Sequence, residues 1–132
     1  MIPDTLQEYD AAVAKCRSIF TAKMNDYGCA WRILRPSSLT DQIYIKANRI
    51  RSIQCKGNKK VDEGEENEFI GIVNYSVMAL IQLEKGFEEG DSLPQEEIAA
   101  LYEQYILNAR SLMENKNHDY DEACRKMRRS SL

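Results

Sequence analysis

Histidine is nearly missing from this chain: His118 is the only one in 132 residues. The four cysteines, Cys16, Cys29, Cys55 and Cys124, form no Cys-x-x-Cys pair, so the ligand spacing of a zinc site is lacking. No serine or cysteine stands in a nucleophile arrangement with His118, and no catalytic constellation is complete. Neither sign of charge dominates: 18 basic residues face 21 acidic ones, with a pI near 5.3. That balance gives no overall electrostatic case for duplex nucleic acid, although local basic patches remain. An apolar run long enough to cross a bilayer is also missing, since the richest stretch, Phe69 to Leu83, is interrupted by Gly71, Asn74, Ser76 and Gln82. The first residues, M-I-P-D-T-L-Q-E-Y-D, lack the basic start and apolar core of a signal peptide. These absences describe a soluble cytoplasmic domain with reduced thiols and no membrane partner.

Helical periodicity is what the chain has in quantity. Asp4 followed by Gln7 offers a capping box, and Leu6, Tyr9, Val13, Cys16 and Phe20 then recur at steps of three and four up to about Met24. Asp26-Tyr27-Gly28 breaks that helix, and Ala30 to Leu34 reads as a turn of helix before Pro36. Ser37 or Ser38 is placed to cap a second helix with Leu39, Ile43, Ala47, Ile50 and Ile53 on one side, closed by Gly57. Residues 58–67 are polar and read as an exposed loop. Glu68 to Glu84 is apolar on nearly every side, as expected for a central helix, and Gly86 ends it. Pro94 opens a fourth helix with Glu96 and Glu97 in its first turn and Ile98, Leu101, Tyr102, Tyr105, Ala109 and Leu112 as its buried stripe. Strand signals are scarce. The expected fold is all-α, a bundle of about four main helices.

The chain also repeats itself. K-M-N-D-Y-G-C-A-W-R-I-L-R-P-S-S-L at 23–39 and K-N-H-D-Y-D-E-A-C-R-K-M-R-R-S-S-L at 116–132 keep Lys, Asp-Tyr, Ala, two Arg and Ser-Ser-Leu in register. Tyr9 and Arg17-Ser18 align with Tyr102 and Arg110-Ser111 at the same offset. Residues 1–88 thus read as a first helical unit and 89–132 as the start of a second, incomplete unit packed on the first within a single domain. The second copy has Cys124 in place of Trp31, and a full unit is expected to continue beyond Leu132.

The first copy of the motif has two readings. Asp26 can form an Asx turn, Tyr27 can fill the space between helices, and the serines can cap. The same atoms suit a phosphate: a helix start presents free N–H groups, Ser37 and Ser38 add hydroxyls, and Arg32 and Arg35 add guanidinium forks, with Lys46 and Arg49 on the next helix. Tyr27 and Trp31 then become candidates for stacking on a base. Asn74, flanked by apolar residues, needs a buried partner or faces a ligand, and Tyr75 is beside it. Among the acids, Glu65 and Glu68 would share a helix face and, with Asp41, could hold Mg²⁺; the competing reading is an acidic first turn complementing the helix dipole.

Together these residues resemble the first-type nucleotide modification associated domain family. The resemblance rests on D-Y-G-x-A-W-R-x-x-R-x-S-S-L-T-D-Q-I over Asp26 to Ile43, on I-K-A-x-R-I-R over Ile45 to Arg51, and on Glu68-Phe69 followed by Asn74-Tyr75. It implies a helical domain tied to nucleotide or modified-base metabolism, without a defined activity. A looser likeness is to MazG-like nucleotide pyrophosphohydrolases, whose paired acidic motifs do not occur here in order: Gly71 follows Glu68 where Asp would be wanted. The leading expectation is therefore a domain that binds the phosphate of a nucleotide or nucleic acid, with Arg32, Arg35, Ser37, Ser38, Lys46 and Arg49 as ligands and Asp26, Tyr27, Trp31, Glu68, Asn74 and Tyr75 around the pocket. The alternatives are a Mg²⁺-dependent pyrophosphohydrolase and a non-catalytic module that homodimerises through its open second repeat.

Overall fold

The computed structural model describes residues 4–56, 62–87 and 93–120. They form four helices, α1 (Thr5–Tyr27), α2 (Pro36–Lys56), α3 (Asp62–Lys85) and α4 (Gln95–Tyr120), with a 3₁₀ turn at Ala30–Ile33 after α1 and no strand among the described residues. Asp4 caps α1 by accepting a 2.9 Å bond from the Gln7 N–H, and Gly28, at φ 63°, closes it with its own N–H on the Met24 carbonyl. The second helix begins earlier than the serines suggest. Pro36, whose fixed φ suits the first helical position, starts it, and the Arg35 carbonyl accepts from the Ser38 and Leu39 N–H groups. Ser37 and Ser38 consequently lie inside the first turn and are not its caps.

The third helix also starts early. Residues 62–67, expected as loop, are helical, because acidic side chains at a helix start complement its dipole and find partners there. Glu65 accepts from Gln54 Nε2 at 3.0 Å and Glu66 pairs with Lys15 at 2.7 Å. At the other end Gly86, at φ 79°, turns the chain. Gly57 lies outside the described residues.

Successive helices run antiparallel, and α3 is the element that touches the other three. Its two sides differ. Toward α1 and α4 it closes an apolar core of Val13, Phe20, Met24, Val77, Ile81, Ile98, Leu101, Tyr102 and Ile106. The Phe20 and Tyr102 rings sit 4.5 Å apart within it. On α4 the fully buried stripe ends at Ile106; the expected members Ala109 and Leu112 are exposed, while Arg110, Met113 and Asn117 are half-buried. Toward α2 the helices run closest together, but fewer side chains are fully buried. Leu39 and Ile50 are buried, Ile43 and Ile53 are half-buried, and Ala47 faces solvent.

Two buried amides tie these elements together. Asn74 donates to the Cys16 carbonyl of α1 at 3.1 Å and accepts from the Tyr102 hydroxyl of α4 at 2.8 Å, so its buried partners are protein groups on both neighbours. Gln82, 1% exposed, donates to the Arg32 and Leu34 carbonyls at 2.8 and 2.6 Å and accepts from the Arg32 guanidinium. Arg32 also donates to the Gly86 carbonyl at 2.6 Å, which fastens the 3₁₀ turn to the C-terminal end of α3 and sets where α2 begins. No described helix is long and apolar enough to cross a membrane.

Candidate functional site

Lys46 crosses α3 where α3 has no side chain. A Cβ added at Gly71 would lie 2.6 Å from Lys46 Cε and 2.7 Å from Cδ, so only glycine lets the lysine stem take this path. Beyond that crossing, the ammonium lies 3.3 Å from Glu68 Oε2, while Arg49 approaches Glu68 Oε1 at 3.7 Å. Glu68 Oε2 is shut off from solvent yet accepts no well-aligned hydrogen bond; the ion pair with Lys46 is its compensation. Two cations therefore face one carboxylate, leaving the group with excess positive charge.

Lys46 also lines a cleft of about 320 Å³ between α1, α2 and α3, with Ile19 and Lys23 from α1 and Asn67, Gly71, Asn74 and Tyr75 from α3. Lys23 forms the edge of a second, smaller hollow of about 160 Å³, walled by Tyr27, Gly28, Ala30 and Trp31. Trp31 is held in place by the core, 6.4 Å from the Phe20 ring, whereas Tyr27 is 75% exposed at the rim. A lysine thus stands between this cleft and an aromatic niche.

The other residues singled out in the sequence are scattered around this pair of hollows. Arg32 is 3% exposed and engaged with Gln82 and Gly86. Arg35 is exposed, its guanidinium 5.7 Å from the centre of the Phe87 ring. The two arginines do not make a common fork. Ser37 and Ser38 lie at the start of α2 beside Arg35, where the Ser38 N–H is already taken by the Arg35 carbonyl. Asp26 is exposed near the end of α1. Of the acids, Glu65 is bonded to Gln54, and Glu68 to its two cations. The antiparallel register that sets Gln54 by Glu65 and Lys46 by Gly71 carries Asp41 toward the C-terminal half of α3, away from both glutamates. Among the described residues, no three His, Cys, Asp or Glu side chains are grouped to hold a metal ion.

Lys23, Asn67 and Gly71 are cleft residues that the sequence reading did not select. Two of them left a trace. Lys23 is the first residue of the repeated motif, and a glycine inside an apolar helix marks a close approach by a neighbour. Asn67 lay in the stretch expected as loop and left none.

Searches of curated proteins and of solved structures return no match to this chain. The family comparison does match, and it begins at Lys23, spans the 3₁₀ turn and α2, and ends two residues before α3 does. Every polar residue of the cleft falls within it, whereas most of α1 and all of α4 fall outside. Residues 23–83 of this chain match the model of nucleotide modification associated domain 1.

Proposed function

We propose that this domain binds a nucleotide in the cytoplasm, with the phosphate in the α1–α2–α3 cleft on Lys46 and Lys23 and the base against Tyr27 and Trp31. The observation that carries the reading is Lys46: Gly71 gives its stem a path to the cleft, and Glu68 anchors its ammonium at the cleft wall. A buried carboxylate that holds a lysine on one side leaves other ammonium donors free to meet a phosphate oxygen. Asn67 adds an amide at the same wall, and Arg49 offsets the charge of Glu68 from the opposite side. Lys23 sits where the phosphate end and the base end meet. Arg32 acts here by positioning: it holds the turn that carries Trp31. Arg35, Ser37 and Ser38 stand outside this cleft and would meet only a longer ligand, such as a strand of nucleic acid.

Thermal shift and titration calorimetry against nucleoside mono- and triphosphates, with and without Mg²⁺, test the reading. Nucleotides are expected to raise the melting temperature, and Lys46→Gln to weaken binding by roughly tenfold or more, the scale of losing one charge-assisted hydrogen bond. No shift with any nucleotide, or undiminished binding by Lys46→Gln, would overturn it. Mg²⁺-dependent release of pyrophosphate, abolished by Glu68→Ala, would replace it with a hydrolase using Glu68 and its acidic neighbours.

A further inference from the structure

The third helix is apolar on more sides than the fold covers. Its core side carries Ile70, Asn74, Val77 and Ile81, and its α2 side carries Glu68 and Gly71. A third strip runs along it through Phe69, Ile72, Ser76, Leu80 and Leu83. Phe69 is 50% exposed, Leu80 42% and Leu83 70%, and the Ser76 hydroxyl is the one polar group in the strip. Phe87, also exposed, follows just past the helix end. By helical spacing the strip lies on the opposite side of α3 from Asn67, Gly71 and Asn74, the residues that line the nucleotide cleft.

The strip is complementary to itself. Its steps are three, four, four and three residues, so it reads the same in either direction about Ser76. Two copies laid antiparallel on a two-fold axis at Ser76 set Phe69 of each against Leu83 of the other, and Ile72 against Leu80, with the small serine where the helices cross. The two ends of the strip match in shape. At the Phe69 end, an open groove of about 620 Å³ between α1 and α3 is walled by Ala11, Ala12, Ile70 and Val73. At the other end Leu83 and Phe87 protrude. The axis brings the protruding pair of each copy to the groove of the other. The ends match in charge as well. Glu65 and Glu66 rim the groove with Lys15, an excess of one negative charge, and the exposed Arg35 guanidinium stands 5.7 Å from the centre of the Phe87 ring. A cation thus travels with the apolar pair toward the acidic rim.

We infer that this strip is the interface of an antiparallel homodimer, in which α3 pairs with α3 of a second copy about Ser76 and each copy seats Leu83 and Phe87 in the α1–α3 groove of the other. A continuous apolar strip of this kind marks an interaction surface on a folded chain. From Phe69 to Leu83 it is about 21 Å long and one helix wide, at the small end of specific interfaces, which sets the dimer in the weak and reversible class. The nucleotide clefts lie on the far sides of the paired helices, so the dimer neither completes nor blocks them.

Sedimentation velocity of the full chain over a range of concentrations tests the interface. A reversible dimer is expected, and Leu83→Glu should raise its dissociation constant by roughly a hundredfold or more, since the axis buries the introduced charge twice. That variant should keep the circular dichroism of the original chain, because Leu83 is exposed within each copy. A disulfide reads the position of the axis. In a Cys55→Ser, Cys124→Ser background, Ser76→Cys is expected to oxidise to a covalent dimer, because residue 76 of each copy meets its own counterpart. Leu83→Cys is not, since its two copies would stand about 21 Å apart, far beyond the ~7 Å that a disulfide spans. A chain that stays monomeric up to about 1 mM would overturn the interface. So would a dimer that survives Leu83→Glu undiminished, or cross-linking at position 83 in preference to position 76.

Discussion

The two sides of α3 are built on different principles. Its α1–α4 side is an apolar core, and the Asn74 amide inserted into it is satisfied by groups on both neighbours. Its α2 side runs close along α3, yet the contact is made by a lysine crossing a glycine and by a carboxylate between two cations, with a cleft beside them. Buried apolar area stabilises at about 25 cal/mol per Å², whereas a desolvated ion pair contributes little net stability. The α1–α4 side therefore carries most of the apolar burial, and the α2 side is organised around the Lys46–Glu68–Arg49 ion pairs. The family match covers all of α2 and leaves α4 out, which is the same division.

Truncation on the two sides should break this comparison most sharply. Ile81 is fully buried at the centre of the α1–α3–α4 core, and Ile50 is the buried isoleucine of α2. Core Ile→Ala changes cost roughly 2–5 kcal/mol, more where neighbours cannot relax into the void. Ile81→Ala is expected near the top of that range and Ile50→Ala near the bottom, by urea unfolding at equal slope. Equal costs would mean that α2 is as firmly packed as the core.

Next in size is Asn74→Ala. It strands the Tyr102 hydroxyl, which is 1% exposed, and removes a donor from the Cys16 carbonyl. Leaving such groups without partners costs about 1–3 kcal/mol. The double variant Asn74→Ala, Tyr102→Phe should lose less than the two single losses combined, because the hydroxyl is no longer stranded. The same environment pushes the Tyr102 pKa well above its ordinary value, chiefly by burial. Glu84, as the acceptor of its hydrogen bond, raises that of Tyr105 to about 12. Protons held more tightly in the folded state make stability constant below pH ~10 and decreasing as pH rises from there through the folded values. Alkaline unfolding followed by circular dichroism is expected to show that fall, and a flat profile between about pH 10 and 12 would contradict it.

Gly71→Ala separates the two sides in the opposite sense. The added methyl displaces Lys46 from α3, while alanine favours the helix by about 1 kcal/mol over glycine. Stability is expected to stay within roughly 1 kcal/mol of the original, with nucleotide binding reduced about as far as by Lys46→Gln. Stability lost with binding retained would show that Lys46 packs there for structure alone.

Much of this fold is legible in the sequence because burial writes itself as period. Val13, Cys16 and Phe20, or Ile98, Leu101 and Tyr102, recur at helical spacing and are buried. The signal fails where polarity and helicity coincide: acidic residues 62–67 look like loop and form the first turns of α3. It fails again at Leu112, whose spacing matches the stripe although its side chain is exposed. The cleft was only half visible. Lys46, Asn74 and Tyr75 stood out, but the crossing at Gly71 is a tertiary contact that no local pattern encodes. Arg32 shows the converse. An arginine near a helix start suits a phosphate until its acceptors prove to be Gln82 and Gly86, some fifty positions away.

The smallest effect comes from two surface ion pairs between α1 and α4, in which Arg110 grips Asp10 and Arg17 grips Glu103 through two guanidinium nitrogens each. Asp10 is exposed, and its hydrogen bond from Arg110 holds its pKa below the ordinary carboxylate value of 3.8. A carboxylate with a lowered folded pKa contributes stability above the unfolded value, and that contribution is lost as pH falls below 3.8 through the folded one. Asp10→Asn should therefore lower the melting temperature slightly at neutral pH, and the difference from the original chain should vanish in acid. Salt should shrink it further, since surface pairs are screened. Glu103→Gln should give a loss of similar size at neutral pH, because it breaks a fork of the same kind. A clearly unequal pair of losses would show that the two forks, alike in geometry, differ in strength.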